Sequence, residues 1–258
     1  MIPIRTSHEI DAIARAGAVV ARCLDELLVA ARPGVMTGDL DRQARRLLER
    51  AGAVPVFSGF VQGDAPPFPG VICTCVNDEV THGVPGERVL AAGDLLTIDL
   101  GALADGWCAD ASRARVVGEG RPDRQALART AEAVTTAAIA AIAPGVRWST
   151  VADVALRAAD AAGCRLVAGY AGHGVGRSLH EPPRAPMFPG PREDFVLWPG
   201  MVLTVEPIVV SASPGCTPGV EVWVRDDGWT VATRDGADAC QVEQTVAVVP
   251  GGVRVLTA

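Results

Sequence analysis

Apolar residues recur every three to four positions at Ile10, Ile13, Gly17, Val20, Leu24, Leu27 and Leu28, the spacing of one face of an α-helix. Thr6-Ser-His-Glu9 opens the run as a capping box, with His8 an exposed first-turn residue, and Pro33-Gly34 ends it. Thr37 is the expected cap of a second helix carrying Leu40, Ala44, Leu47 and Leu48 and stopped by Gly52. Periodicity then lapses over 53–70, a Gly- and Pro-rich stretch whose Phe57, Phe60 and Phe68 predict a loop with an apolar lining. The continuous apolar runs Val71 to Val76 and Leu95 to Leu100 read as strands. A third, Trp107 to Val117, is reached through the turn at Ala104-Asp-Gly106.

Helical spacing returns at Pro122, a good first helical residue, and continues through Leu127, Val134, Ala138 and Ile142 to Pro144. Ser149 or Thr150 then caps a helix to Ala162. Segment 181–199 holds six prolines and is expected to be an ordered turn or loop rather than a strand. Strands are predicted at 201–210, 220–225, 229–233 and 240–249, with a hairpin tip over 211–219.

The pattern occurs twice. Gly93-Asp-Leu-Leu-Thr-Ile-Asp99 and Gly200-Met-Val-Leu-Thr-Val-Glu206 both read Gly-x-x-Leu-Thr-(Ile/Val)-carboxylate. Upstream, Gly34 and Gly52 are 18 residues apart, as are Gly145 and Gly163. Two copies imply a pseudo-symmetric single domain rather than a solenoid. The expected division is one domain over 1–258 with internal halves of about 6–118 and 122–250. A shared site then lies on the internal axis, where Asp99 and Glu206 face each other.

Net charge is −7 without a basic block, so there is no nucleic-acid footprint. The longest charge-free helical stretch, Ala133 to Val146, is too short to span a bilayer, and no signal peptide is evident. Seven cysteines, an odd number without a Cys-x-x-Cys pair, predict reduced thiols in the cytoplasm.

Three of the four histidines lie in turns rich in Gly or Pro: His82-Gly-Val-Pro, Gly172-His173-Gly-Val-Gly and His180-Glu-Pro-Pro. Singly, each reads as a satisfied loop residue. The glycines beside His173 argue against a helix presenting both it and His180. Asp99 and Asp110 are eleven apart across a turn, so a hairpin brings them side by side. Glu243 interrupts the apolar run Ala239 to Val249, where a solvent-facing position is not the expected reading. Carboxylates Asp99, Asp110, Glu206 and Glu243 converging without a matching Lys or Arg set would repel and take up protons unless cations neutralise them. Two divalent ions balance four carboxylates. One imidazole among oxygen ligands suits Mn, Fe or Co, and metals about 3.5–4 Å apart favour hydrolysis.

With these residues in place, the chain resembles the type I methionine aminopeptidases. The likeness rests on Asn77-Asp-Glu-Val-Thr-His82-Gly, Thr97-Ile-Asp99-Leu-Gly, Asp110-Ala-Ser-Arg, Gly172-His173-Gly-Val-Gly-Arg-Ser-Leu-His180-Glu-Pro, Gly200-Met-Val-Leu-Thr-Val-Glu206-Pro and Gln241-Val-Glu243. It implies an α+β pita-bread (creatinase/aminopeptidase-like) fold, with pseudo-twofold duplicated helix-helix-strand halves around an antiparallel sheet. It also implies a metallo-exopeptidase that removes N-terminal methionine from nascent proteins and peptides whose second residue is small. By the same resemblance Asp99 belongs to one metal, His173 and Glu206 to the other, and Asp110 and Glu243 bridge the two ions (Co, Mn or Fe(II)). His82 would contact the scissile amide nitrogen, His180 help polarise the carbonyl, and Glu206 accept a proton. Cys73, Phe60, Phe68 and Trp229 would line the methionine pocket. The chain departs from the family pattern in its Phe-rich loop, where Tyr is expected, and in Gln244, where many relatives have His. The implied protein is a cytoplasmic monomer that meets nascent chains in transient association with the ribosome, without nucleic-acid specificity or membrane attachment. Rival readings are an X-Pro aminopeptidase and a non-catalytic peptide-binding protein on the same fold.

Overall fold

In the computed structural model of the chain, residues 1–211 and 220–258 are described. The first half opens with helices α1 (Ser7–Ala30) and α2 (Thr37–Arg50), followed by strands β1 (Val54–Pro55), β2 (Cys73–Val76), β3 (Glu79–Thr81), β4 (Leu95–Ala104) and β5 (Trp107–Val116). The second half repeats the order with α3 (Pro122–Ala140) and α4 (Trp148–Ala161), then β6 (Cys164–Leu166), β7 (Ala171–Gly174) and β8 (Glu181–Pro186). After these come β9 (Val202–Val205), β10 (Ile208–Ser211), β11 (Val222–Val224), β12 (Val231–Thr233), β13 (Ala239–Gln241), β14 (Gln244–Val249) and β15 (Gly252–Val255).

The first helix forms as its pattern predicts. Thr6 and Glu9 complete a reciprocal capping box, and Ile13, Val20, Leu24 and Leu27 are fully buried along one face. That face meets Leu96, Ile98 and Leu100 of β4 and Ala109 and Ala111 of β5. Each large side chain so buried contributes about 1.5–3 kcal/mol. The β4–β5 hairpin turns at Asp105 and Gly106, both with positive φ (50° and 75°), the geometry of a two-residue type I′ turn. Side chains alternate across a strand. With Leu96, Ile98 and Leu100 on α1, the residues Asp99 and Gly101 must face the other way, together with their register partners Ser112 and Asp110. In the second half α3 and α4 cover β9 and β14 in the same manner, with Leu127, Val134, Trp148 and Val151 packed among Leu203, Val205 and Val246.

Every named strand pair is antiparallel, but the strands do not form one continuous sheet. They fall into groups of four, three, three and five. The predicted strands 201–210 and 240–249 are each broken in the middle, the first at Glu206-Pro207 and the second at Val242-Glu243. Before the break β9 pairs with β14, and after it β10 pairs with β13. The ribbon therefore changes sheets at both glutamates, and Pro207, which has no N–H to donate, marks the bend. An isolated bridge between Ser112 and Glu243 ties the bend to β5.

Three local expectations change. Thr37 is the first residue of α2 rather than its cap: its hydroxyl donates to Gly86 O (3.2 Å) and accepts from Gly86 N (2.9 Å). Neither Ser149 nor Thr150 caps α4, which begins at Trp148, and the distant Asp194 accepts from Ser149 N at 2.9 Å. Residues 181–186, expected as loop, form β8. It lies at the edge of its sheet against β7, where proline does not interrupt a ladder on both sides. The predicted tip at 211–219 falls, beyond Ser211, outside the described residues.

Candidate metal centre and adjoining pocket

A cavity of about 540 Å³ opens where the two halves meet, and Asp99, Asp110, His173, Glu206 and Glu243 all line its floor. Asp99 and Asp110 project from the interiors of β4 and β5, set diagonally because Asp99 pairs with Ser112 and Asp110 with Gly101. A Cβ on Gly101 would lie 2.8 Å from Phe57 and 3.3 Å from Asp110 Oδ1, so glycine there leaves room for both side chains. His173 lies on β7, and its Nε2 is 3.7 Å from Asp110 Oδ2 and 3.8 Å from Glu206 Oε1. One ligand atom from each of Asp110, His173 and Glu243 falls within 4.8 Å of the others.

These carboxyls sit in a hostile setting. Burial first, then repulsion from Asp110 and Glu206, raises the pKa of Asp99 well above the ordinary carboxylate range. Glu243 is raised likewise by burial and then by Asp110, Glu206 and Asp99. Burial pushes Asp110 to about 7 and Glu206 to about 8, the latter against the opposing hydrogen bond from Thr204. Burial also brings His173 and His82 down to about 4, with His180 adding to both shifts, and lowers His180 itself. Both His82 and His173 are therefore neutral at pH 7, the form in which a ring nitrogen can bind a metal or accept a hydrogen bond. Three buried oxygens, Asp99 Oδ1, Asp110 Oδ1 and Glu243 Oε1, have no hydrogen-bond partner. Buried carboxyl oxygens left without hydrogen-bond partners suit divalent cations, which replace the protons that burial favours, and the oxygen-rich donor set with one imidazole fits them chemically.

His82 and His180 line the upper wall of the same cavity. His82 follows β3 with a left-handed φ of 55°, and Gly83 behind it packs so closely that a Cβ would lie 2.1 Å from Thr74 O. That backbone conformation is uncommon for a residue with a Cβ and marks a position held by its surroundings. His180 occupies the turn between β7 and β8, its ring centroid 4.3 Å from that of His173 and 5.2 Å from that of Phe60.

Beside the acids the wall turns apolar. Phe57, Phe68, Cys73, Leu179 and Trp229 are buried together, with Phe60 partly buried against them. Trp229 is oriented by its Nε1–H, which donates to Pro66 O at 2.7 Å, and packs edge-on against Phe68. Burial raises the Cys73 thiol, so it stays protonated and serves as an apolar wall. All four residues nominated for this pocket line the cavity. Phe57, already read as part of an apolar loop lining, borders it too, as do Leu179 and Tyr170, which carried no such signal in the sequence.

Two further residues, Thr204 and Gln241, support Glu206. The Thr204 hydroxyl donates to Glu206 Oε1 (2.7 Å) and accepts from His173 N (3.0 Å), and the Gln241 amide donates to Glu206 Oε2 (3.2 Å). Both lie inside quoted motifs, so position alone could have flagged them. His8 is exposed on α1, as expected.

The chain is similar to known proteins over its whole length. The family described as Metallopeptidase family M24 matches residues 11–250. The curated "Methionine aminopeptidase 1" of Mycobacterium tuberculosis is 40% identical over 264 residues, covering 100% of this chain and 95% of that protein. Among solved structures, a methionine aminopeptidase from Rickettsia prowazekii superposes with a TM-score of 0.92 at 28% identity, covering all of both chains. Another from Thermotoga maritima gives 0.91 at 32% identity, covering 100% of this chain and 99% of the other. The fold is thus the α+β pita-bread fold.

Proposed function

Because the chain belongs to metallopeptidase family M24, and within it to the methionine aminopeptidases, we propose that its whole length, 1–258, is one catalytic domain that removes N-terminal methionine from peptides and nascent proteins. The observation that carries the site assignment is the set of buried carboxylate oxygens without hydrogen-bond partners, gathered beside an imidazole held neutral. We assign Asp99, Asp110, His173, Glu206 and Glu243 as ligands of two divalent ions, drawn from Co, Mn or Fe(II). Bound there, such ions supply Lewis-acid polarisation of the scissile carbonyl and a water acidic enough to act near neutral pH.

The chain's own groups do the rest. Glu206, held at its two oxygens by Thr204 and Gln241, accepts a proton once the bound ions keep it ionised. Neutral His82 hydrogen-bonds the scissile amide nitrogen, and His180 hydrogen-bonds the carbonyl oxygen as negative charge grows on it. Phe60, Phe68, Cys73 and Trp229 receive the methionine side chain, a long flexible apolar group suited to aromatic and sulfur-lined walls. Crowding by His82 and the acids limits the second residue to small side chains. The enzyme works as a cytoplasmic monomer that meets nascent chains through transient contact with the ribosome. Among the described residues no helix is long and apolar enough to cross a membrane.

The deciding experiment is turnover of Met-Ala-Ser by metal-loaded and by chelated protein, with metal content measured in parallel. Release of methionine by the loaded form alone is expected, with about two ions per chain. Norleucine in place of methionine should cost at most roughly 1–3 kcal/mol, because an apolar pocket discriminates weakly by shape. Cleavage of an X-Pro peptide with Met-Ala-Ser untouched would overturn the methionine assignment, and no cleavage of either would favour peptide binding without catalysis.

A further inference from the structure

His180 sits on a short turn, and short turns keep their shape only when their backbone groups are tied down. The tie is Glu181. Its Oε1 accepts from the backbone N–H of Arg177 (2.8 Å) and of Ser178 (3.2 Å), so one carboxylate spans the turn. Its other oxygen, Oε2, is ion-paired with Arg5, and both side chains are only 13% exposed. Arg5 comes from the segment before α1, more than 170 residues away in sequence.

That segment is closely fitted. Arg5 N donates to Gly200 O at 2.7 Å, and a Cβ on Gly200 would lie 2.6 Å from Ile4 and 2.7 Å from Arg5 O. A Cβ on Gly176, at the start of the turn, would lie 2.3 Å from the Arg5 guanidinium. Glycine at both places lets the strap approach the turn. The guanidinium of Arg177 also stacks 3.7 Å over Trp107, with Arg5 5.3 Å from the same ring, and Cys108 N donates to Gly176 O at 2.7 Å. The turn carrying His180 is thus latched to the N-terminal strap on one side and to the β4–β5 hairpin on the other.

We propose that Arg5 is a positioning residue for His180, acting through Glu181. The guanidinium holds the mostly buried Glu181 side chain in one orientation, and its ion pair and two backbone hydrogen bonds are of the stronger, charge-assisted kind. Without Arg5, Glu181 turns toward solvent, the turn relaxes, and the imidazole moves off the substrate carbonyl. A shift of about 1 Å in a group that contacts the reacting atoms is enough to slow turnover about a hundred-fold. The inference rests on the proposed role of His180 at the carbonyl.

The test is a double-mutant cycle in the metal-loaded enzyme: wild type, Arg5→Ala, His180→Ala and the double variant. Turnover of Met-Ala-Ser, metal content and Tm are measured for each. Arg5→Ala is expected to lower kcat about ten- to hundred-fold with KM and metal content little changed, and Arg5→Lys to recover most of the loss. In the His180→Ala background, Arg5→Ala should cost no further activity. Glu181→Gln runs through the same cycle, so a folding failure of Arg5→Ala leaves the test intact. Unchanged kcat in the Arg5 and Glu181 variants, or losses that multiply in the double variant, would overturn the proposal. Wild-type turnover by His180→Ala alone would instead remove the role of His180, and this inference with it.

Discussion

The two halves bring two acids each to one cavity by opposite means. In the first half Asp99 and Asp110 stand inside the long, unbroken strands β4 and β5. Alternation alone aims them, because the other face of the hairpin is committed to α1. In the second half Glu206 and Glu243 stand where the ribbon breaks and changes partners, between β9 and β10 and between β13 and β14. The short aspartate arm suits a rigid strand whose direction is already fixed. The longer glutamate arm has more rotamers, and here Glu206 is gripped at both oxygens by Thr204 and Gln241. The repeated Thr of the two motifs shows the same division: Thr204 braces Glu206, whereas Thr97 is buried within β4 in register with Ala114 of β5. A duplicated sequence pattern therefore does not imply a duplicated way of holding the site.

The comparison breaks first on the two proposed bridging acids, one from each half. Asp110→Ala and Glu243→Ala should each remove both ions and lower kcat/KM well beyond the ~100-fold typical of losing a residue that merely orients a ligand. Asp99→Ala should mainly weaken one ion. Metal analysis with Met-Ala-Ser turnover decides, and full metal content in either bridging variant would separate the halves in function.

Next in size is the pH response of the chelated protein. The carboxyls have folded pKa values above their unfolded ones, so the folded state holds the extra protons and loses stability as pH rises through those values. The depressed values of His82 and His173, about 4 against 6.5, act in the other direction, and their effect is complete by about pH 6.5. Between about pH 6.5 and 8 the carboxyls are unopposed, and Glu206 alone should account for roughly 2 kcal/mol of lost stability. Thermal melts of chelated protein should fall across that window and melts of metal-loaded protein should not. A flat profile without metal would mean that burial does not keep these carboxyls protonated.

Thr204→Val tests the bracing in the second half directly. It strips Glu206 of a donor and leaves His173 N without its acceptor, for a stability cost of about 1–3 kcal/mol. Activity should fall more than stability explains. Denaturant unfolding beside kcat at saturating metal separates the two effects, and equal kcat would show that Glu206 needs no brace. The smallest effect is expected in the first half. Gly106→Ala places a Cβ at φ 75° in the hairpin turn and should cost on the order of 1 kcal/mol. Metal content should stay unchanged, since the strands, not the turn, aim Asp99 and Asp110.

Much was legible in the residues themselves. The capping box of Thr6 and Glu9, the Pro122 start of α3, the Asp105-Gly106 turn and the burial of Asp110 and Glu243 follow from local rules about donors, φ angles and apolar runs. What failed were features set by partners remote in sequence. Thr37 looks like a cap, but Gly86 takes its hydroxyl, and Asp194 caps α4 from 45 residues away. The prolines of 181–186 look like loop until β7 supplies a single neighbour at a sheet edge.

The helices, the paired strand motifs and the identity of the acids are written in short stretches of chain, because they depend on periodicity and on chemistry within a few residues. The bends of the ribbon at Glu206 and Glu243, and the hold of Thr204, Gln241 and the remote pair Arg5 and Glu181 on the groups around the cavity, arise from packing in three dimensions. Those contacts join chain segments whose closeness exists only after the core has packed, and no local pattern encodes that closeness.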